Sequence, residues 1–516
     1  MAKLTIDGKE IEVPDGTRLF DACTEARGEP LPHFCYHPDL SIAGVCRLCQ
    51  VEVEGMPKLT IACNTIVKDG MVVHTKNDRV KRAAQQILEM HLINHPVDCP
   101  ICDQAGECGL QDQYMKYGLY ESEVEKADKV HKCKAQVIGP EVILDQERCV
   151  LCSRCVRFVY EVTGTRELGI FQRGDRAEIG VAPGRQLDNN YSLNTVDICP
   201  VGALTSRDFR FRQRVWRLKG TRSICPGCAT GCNVRLDHNA GRLWRVKPRR
   251  NDEVNREWMC DLGRKTYKIV QAETRLKSPL TRDALRQRAL EWFRAGEVGL
   301  AVASPHVSLE EMYLFARVME RLGAPAPLGG LVDADLGEGD DLLLSGDRTP
   351  NRAGLRWLGL AELPAAELAA RIDAAREKTI VIYGGNPAAD PAVAKALAGC
   401  RRVVYAGTHE NETSRAAAFT VPTSTWAEKE GLFVNRQGRV QAFWTALAAP
   451  EGVEEDAAFW VSLLRRLGEP EEPLEIVERR RRLGKALGVE GIDLGRLPAT
   501  GAVIDPATVA AGGGGR

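Results

Sequence analysis

Fifteen of the eighteen cysteines, joined by one histidine, fall into four groups spaced like metal-ligand sets. The first is Cys35-x10-Cys46-x2-Cys49-x13-Cys63, and the second is His95-x3-Cys99-x2-Cys102-x5-Cys108. The third is Cys149-x2-Cys152-x2-Cys155-x43-Cys199, and the fourth is Cys225-x2-Cys228-x3-Cys232-x27-Cys260. Thiolate is a soft ligand that holds iron–sulfur clusters or zinc. Four adjacent sites in one chain fit an electron conductor better than a set of structural clips.

The elements around these groups show how each is presented. Residues 3–13 alternate like a strand pair turning at Asp7-Gly8, and Thr17 is expected to cap a helix over Arg18–Ala26 that ends at Gly28. The first cysteine group follows in a loop with Gly44, and strand-like Gln50–Glu54, Leu59–Ala62 and Met71–Thr75 come after it. This is the element order of a β-grasp ferredoxin, and four cysteines on one loop and one strand end fit a [2Fe–2S] centre. Zinc is the alternative, although gaps of ten and thirteen residues suit no zinc ribbon. Cys23, inside the helix, reads as a small buried hydrophobe.

Asn77 and Asp78 are placed to cap a helix running to about Asn94, with Val80, Ala84, Ile87 and Leu88 on one face and Pro96 beyond its end. That helix delivers His95 toward Cys99, Cys102 and Cys108. Imidazole in place of one thiolate makes a cluster less negative and easier to reduce, and a Cys3His zinc site is the competing assignment. In the third group, position 159 is Val, so the compact cysteine run is closed by remote Cys199-Pro200 and makes one cubane, not two. Cys133 is left over and expected to be structural. Arg207 to Arg222 is a basic run carrying Phe209, Phe211 and Trp216, expected as a solvated or subunit-facing surface. The fourth group flanks strands expected at Asn233–Leu236 and Arg242–Val246, and a zinc ribbon is its alternative.

Composition limits the function classes. Seventy basic and seventy acidic residues cancel, so no global field favours nucleic acid or an anionic membrane. The N-terminus reads as strand and turn without the pattern of a secretion signal, so a disulfide framework is not expected. No apolar run is long enough to cross a bilayer.

Residues Phe34-Cys35-Tyr36-His37-Pro38, Cys46-Arg47-x-Cys49 and His95-Pro-Val-Asp-Cys99-Pro-x-Cys102-Asp-Gln-x-Gly-Glu-Cys108 carry a resemblance. So do Arg148-Cys149-x2-Cys152-x-Arg154-Cys155-Val156-Arg157-Phe158 and Asp197-Ile-Cys199-Pro200-Val201-Gly202. Over the first half the chain resembles the large iron–sulfur subunit of respiratory complex I, the bacterial NADH–quinone oxidoreductase. The same opening modules occur in iron-only hydrogenases, in NAD-reducing hydrogenases and in NAD-linked formate dehydrogenases. The resemblance implies one [2Fe–2S] and three [4Fe–4S] clusters on the four groups. It also implies a flavin- and NADH-binding partner, other peripheral-arm subunits, and an indirect tie to the membrane arm at the cytoplasmic face of the bacterial inner membrane. No substrate-converting site of its own and no nucleic-acid partner are expected.

The fourth group resembles the [4Fe–4S] module that opens molybdopterin oxidoreductases, and the resemblance makes it a side branch of the relay. Beyond Leu280, strands at Val298–Ala303, Leu342–Leu344, Thr379–Tyr383 and Arg402–Tyr405 are expected to alternate with helices at Glu310–Leu322, Ala365–Glu377 and Ala392–Leu397. Tyr383-Gly-Gly-Asn-Pro387 and Glu430-Gly431-x3-Asn435-x2-Gly438-Arg439-x-Gln441 resemble pterin-binding loops. Cys400 stands apart from His306 and His409, and Leu262 occupies a position where active relatives carry a basic residue. The back half is therefore expected to be a truncated, non-catalytic molybdopterin-oxidoreductase-like domain without molybdopterin. A molybdenum-bearing formate dehydrogenase subunit and a zinc-stabilised scaffold are the competing functions. Glu478–Arg482 is expected as an exposed helix, and Ala510–Arg516 as a frayed tail.

The expected fold is thus multidomain, α+β and then α/β. A β-grasp domain spans 1–78, a helical His/Cys3 module 79–118 and a ferredoxin-like module 119–217. A further [4Fe–4S] module spans 218–275, and the α/β domain 276–516.

Overall fold

A computed structural model of the chain describes residues 1–121, 125–489 and 491–509. The chain divides into two units, Met1–Arg217 and Leu218–Arg516.

The first unit opens with a five-stranded sheet in the order Lys9–Val13, Ala2–Ile6, Met71–His74, Gln50–Val53, Thr60–Ile61. The first and last long strands pair in parallel at its centre and all other pairs are antiparallel. Asp7 and Gly8 both take positive φ, which two-residue hairpin turns demand. Leu19–Arg27 forms a helix packed on the sheet through Leu19, Phe20 and Cys23. The helix starts one residue later than expected. Thr17 is not its cap, because its hydroxyl donates to the Pro14 carbonyl at 2.7 Å. Gly28 ends the helix in the left-handed region.

Asn77 caps the helix Asp78–Leu92, its Oδ1 accepting the Val80 N–H at 3.0 Å. Val80, Ala84 and Leu88 face inward, as the apolar spacing requires. The remainder of this unit is short elements joined by loops. It contains a helix at Gly109–Tyr117, a sheet in the order Leu204–Ser206, Val142–Leu144, Gln136–Val137, a helix at Arg154–Glu161, and the hairpin Leu168–Phe171/Glu178–Val181.

The second unit begins with an antiparallel sheet of Lys219–Ile224, Asn233–Asn239 and Arg242–Pro248. Its first strand lies in what reads as the end of a basic surface run. The strand runs from the surface inward, Lys219 and Gly220 exposed at its start and Ser223 and Ile224 buried at its end. Then comes an all-parallel sheet in sequential order, Val298–Ala303, Thr379–Tyr383, Arg402–Gly407 and Phe419–Pro422. Val381, Tyr383, Val404 and Ala406 face the helices Arg282–Arg294, Leu309–Arg321 and Asp456–Arg466. Ile380, Ile382, Val403 and Tyr405 face Ala365–Ala374 and Pro391–Ala398. Both faces are covered, as parallel sheets require.

Two assignments are corrected here. Leu342–Leu344 is not a strand, because Asp340 Oδ1 accepts the N–H groups of Leu342, Leu343 and Leu344, each at 3.0 Å, and curls the chain. Glu478–Arg482 is not an exposed helix throughout. Arg479 and Arg480 are buried, and Arg480 pairs with buried Glu310 at 2.7 Å. The expected tail Ala510–Arg516 lies outside the described residues. A last sheet joins Gly431–Val434, Arg439–Phe443 and Ala502–Val503. Among the described residues, no helix is long and apolar enough to cross a membrane.

Candidate functional site

The first cysteine group is wholly buried between the loop 35–49 and the short helical turn Ala62–Asn64. The thiols of Cys46 and Cys63 hydrogen-bond to Cys35 and hold its pKa well below the ordinary thiol range, and the Cys63 thiol lowers Cys49 likewise. The Phe34 N–H donates to Cys46 Sγ at 3.3 Å. Backbone N–H groups aimed at sulfur favour negative charge on the site.

In the second group, Cys99 starts a short helical turn, Cys102 ends it, and Cys108 precedes the helix Gly109–Tyr117. Burial lifts the Cys108 thiol to about 11, with Cys102 and Cys99 adding to the rise. His95 stands on the turn leading in, half-buried, its Nδ1 accepting the Val97 N–H at 3.1 Å. Burial takes its pKa down to about 4, so the imidazole is neutral, the form in which it ligates metal. A Cβ placed at Gly202 would lie 2.5 Å from Cys102 Sγ, so only glycine leaves the sulfur its place. Arg148 is 4% exposed and grips Asp98 through Nε at 3.2 Å and Nη2 at 2.8 Å. Its Nη1 is buried and pairs with the buried Asp145 carboxylate at 3.5 Å, so the guanidinium beside Cys102 is held between two acidic side chains.

Cys149, Cys152, Cys155 and Cys199 line one cavity whose other walls are mainly Leu144, Val150, Ile179, Val201 and Leu204. Burial and the neighbouring thiols push Cys149 up to about 12 and Cys152 to about 11. A cavity ringed by four sulfurs and mostly apolar, with Ser153 and Arg154 as the polar members of its lining, suits a cubane. The Gly109 N–H donates to the Pro200 carbonyl at 2.8 Å, so the residues following Cys108 and Cys199 are directly bonded.

The fourth group is gathered by the Cys225–Cys232 loop, where the Cys225 N–H donates to the Cys232 carbonyl at 2.9 Å. Gly263 N–H donates to Cys260 Sγ at 3.3 Å, and a Cβ at Gly263 would meet Cys225 Sγ at 2.9 Å. Burial raises Cys225 and Cys232 well above the usual thiol range. Buried Asn435 donates to the Thr230 carbonyl at 3.1 Å and accepts the Gln437 and Arg439 N–H groups at 2.9 and 3.0 Å. Arg439 donates to the Thr500 and Gly501 carbonyls. The stretch that reads as a pterin-binding loop thus spends Asn435 and Arg439 on its own chain, around the fourth cysteine loop.

The remaining cysteines stand outside these groups. Cys23 is buried in its helix as expected, and Cys133 is exposed where a structural role would bury it. Cys400 donates to the Ala396 carbonyl at 3.3 Å. The basic run is less free than a solvated surface: Arg207 binds the Pro140 carbonyl and Arg214 those of Cys102 and Pro100, while Phe211 and Trp216 are exposed. Sequence reasoning missed Arg148, Gly202 and Gly263 as parts of the sites. Each lies within three residues of a grouped cysteine, and Arg148 and Gly202 stand in the motifs that carry the resemblance, but no sequence feature assigned them a role.

Comparison with known proteins follows this arrangement along the chain. A 2Fe-2S iron-sulfur cluster binding domain matches residues 1–78, and an NADH-ubiquinone oxidoreductase-G iron-sulfur binding region matches 85–123. The ferredoxin-like domain of NADH-quinone oxidoreductase subunit 3 matches 139–205. A molybdopterin oxidoreductase Fe4S4 domain matches 218–272, and a molybdopterin oxidoreductase family matches 360–466. The chain is 40% identical over 340 residues to the G-type subunit of the Rickettsia felis NADH-quinone oxidoreductase, covering 63% of this chain and 50% of that protein. The G-type subunit of the Streptomyces coelicolor NADH-quinone oxidoreductase is 43% identical over 286 residues, covering 55% and 34%. The mitochondrial NADH-ubiquinone oxidoreductase 78 kDa subunit of Candida albicans is 41% identical over 293 residues, covering 57% and 40%. A solved chain of NAD+-reducing [NiFe]-hydrogenase is 29% identical, covering 42% of this chain and 91% of its own, with a TM-score of 0.38. The chain spans half or less of the length of these curated relatives. With matches to one 2Fe-2S-binding domain followed by 4Fe-4S-binding domains, the chain is similar to the G-type iron–sulfur subunits of NADH–quinone oxidoreductases.

Proposed function

We propose that this chain is the electron-relaying iron–sulfur subunit of a proton-translocating NADH–quinone oxidoreductase. Cys35, Cys46, Cys49 and Cys63 hold a [2Fe–2S] cluster. Three [4Fe–4S] clusters are held by His95, Cys99, Cys102 and Cys108, by Cys149, Cys152, Cys155 and Cys199, and by Cys225, Cys228, Cys232 and Cys260. These clusters supply one-electron carriers of tunable potential. Single electrons enter from a flavin- and NADH-binding partner and leave toward quinone through other peripheral-arm subunits, which also hold the chain at the cytoplasmic face of the inner membrane.

One observation carries this reading. A single buried cluster of side chains contains Cys35 and Cys46 of the first group, Cys108 of the second and Cys152 of the third, packed with Phe34, Leu48, Leu88 and Val201. Three ligand sets thus share one dry wall, which excludes water and keeps the sites adjacent. Within it the protein's contribution is binding and tuning: backbone N–H groups at Cys46, Arg148 beside Cys102, and burial that sets the charge each site tolerates.

Metal and acid-labile sulfide analysis of the purified protein tests the proposal. It expects about 14 iron per chain, with matching sulfide. Zinc without sulfide would refute the relay, and stoichiometric molybdenum would refute the cofactor set.

A further inference from the structure

The helix Arg154–Glu161 leaves the third ligand group and turns one face to the loop that carries the first. Residues 154, 157 and 161 stand at spacings of three and four, hence on one side of the helix. Arg154 donates through Nη1 to the Ile198 carbonyl at 3.1 Å and through Nη2 to the Tyr36 carbonyl. Arg157 donates through Nη2 to the carbonyls of Cys35 and Cys152, through Nη1 to that of Ser41, and through Nε to Ser153 Oγ at 3.2 Å. Glu161 accepts the Ser41 N–H at 2.7 Å and the Ser41 hydroxyl. The segment Cys35–Ser41 is therefore held near both ends by one helix, whose first turn contains Cys155.

Every one of these acceptors is a ligand residue of one of the two groups or lies close to one in sequence. Two guanidinium groups, always charged, sit where the two sites meet. A fixed cation in a low-dielectric region favours the form of a nearby centre that carries the extra electron. Lysine carries the same charge but lacks the planar fork that reaches several carbonyls at once.

We propose that Arg154 and Arg157 are positioning residues of the relay, which lock the first centre's loop onto the third centre and raise the reduction potential of both. The inference rests on the relay reading and deepens it. The test uses the assembled complex, with iron and sulfide measured first and a redox titration followed by electron paramagnetic resonance. Arg157→Gln and Arg154→Gln shift the midpoints of the first and third centres to more negative values and leave the second and fourth unmoved. Arg157→Lys keeps both midpoints near the parent values, while amide exchange across residues 35–41 accelerates tenfold or more. If a glutamine variant fails to load its clusters, exchange in the lysine variant decides. Loaded clusters with unmoved midpoints, a shift at one centre alone, or unchanged exchange in the lysine variant each overturn the inference. Absence of iron and sulfide in the parent protein overturns the relay itself.

Discussion

Replacing Gly202 with alanine adds one carbon atom between two ligand groups. Gly202 lies outside the positive-φ region, so alanine meets no backbone strain there and the effect is steric. The new Cβ would stand 2.5 Å from Cys102 Sγ, 3.1 Å from Gln104 Cβ and 3.5 Å from Arg148 Cδ. Ordinary non-bonded contact needs about 3.5–4.0 Å, so the sulfur or the turn must move by about 1 Å. The turn is tied on both sides, by Gly109 N–H to the Pro200 carbonyl at 2.8 Å and by Asp145 N–H to the Ala203 carbonyl at 2.7 Å. The sulfur is the part that yields. Overpacking of this size costs about 1–3 kcal/mol, which corresponds to a roughly 5- to 150-fold weaker hold on the second centre. The assay is iron and sulfide per chain, with low-temperature electron paramagnetic resonance to identify each centre. Iron falls by about four per chain while the first and fourth centres persist. Gly399→Ala is the control, because its nearest contact is the Ala396 carbonyl at 3.5 Å. Full iron content and an unaltered second-centre spectrum in Gly202→Ala would refute the assignment of Cys102 as a tightly packed ligand.

Three other perturbations probe the second unit. Lys429 pairs with Glu311 at 2.9 Å and Asp456 at 3.2 Å, both carboxylates almost wholly buried, so Lys429→Met strands two charges and costs about 3–5 kcal/mol in urea unfolding; a loss below about 1 kcal/mol would contradict this. Asn435→Ala removes the partner of two N–H groups and of the Thr230 carbonyl, costing about 1–3 kcal/mol and loosening the fourth centre first. Equal loss of all four centres would argue for general unfolding. His409 Nε2 meets the Ile269 carbonyl at 2.7 Å, and burial holds its pKa below the usual value. The unfolded chain takes up this proton first, so the stability contribution is present above about pH 6.5 and is lost as pH falls below it. His409→Gln flattens that slope in thermal unfolding between pH 8 and 5, and an unchanged slope counts against it.

Short cysteine spacing prompts the four-group reading; in the structure Cys149, Cys152, Cys155 and Cys199 line one cavity, and cysteine thiols within each other group lie close enough to shift one another. The β-grasp order was legible from alternation, the Asp7-Gly8 turn and Gly28. Other features were hidden for physical reasons. Leu342–Leu344 has the composition of a buried strand, but one carboxylate, Asp340, takes three consecutive N–H groups away from any sheet. Phe419–Pro422 is short and ends in proline, so the fourth parallel strand left no periodic signal. Arg154, Arg157 and Glu161 look like an ordinary solvated face until the loop they grip is seen. Asn435 and Arg439 match a cofactor loop in spelling, while their side chains hold backbone of the same unit.

The bond between Gly109 and Pro200 also bears on how the chain is made. Cys199 lies 44 positions beyond Cys155, and the turn after it supplies the wall against which Cys102 rests. During synthesis at about 5–20 residues per second, that stretch takes about 2–9 s to emerge. Throughout this interval the third set lacks its last sulfur and the second lacks its wall. The first set is already complete in sequence. Under the proposed relay the first set has all its cysteines before Cys199 emerges, while the wall it shares with the other two still lacks Val201 and Ala203.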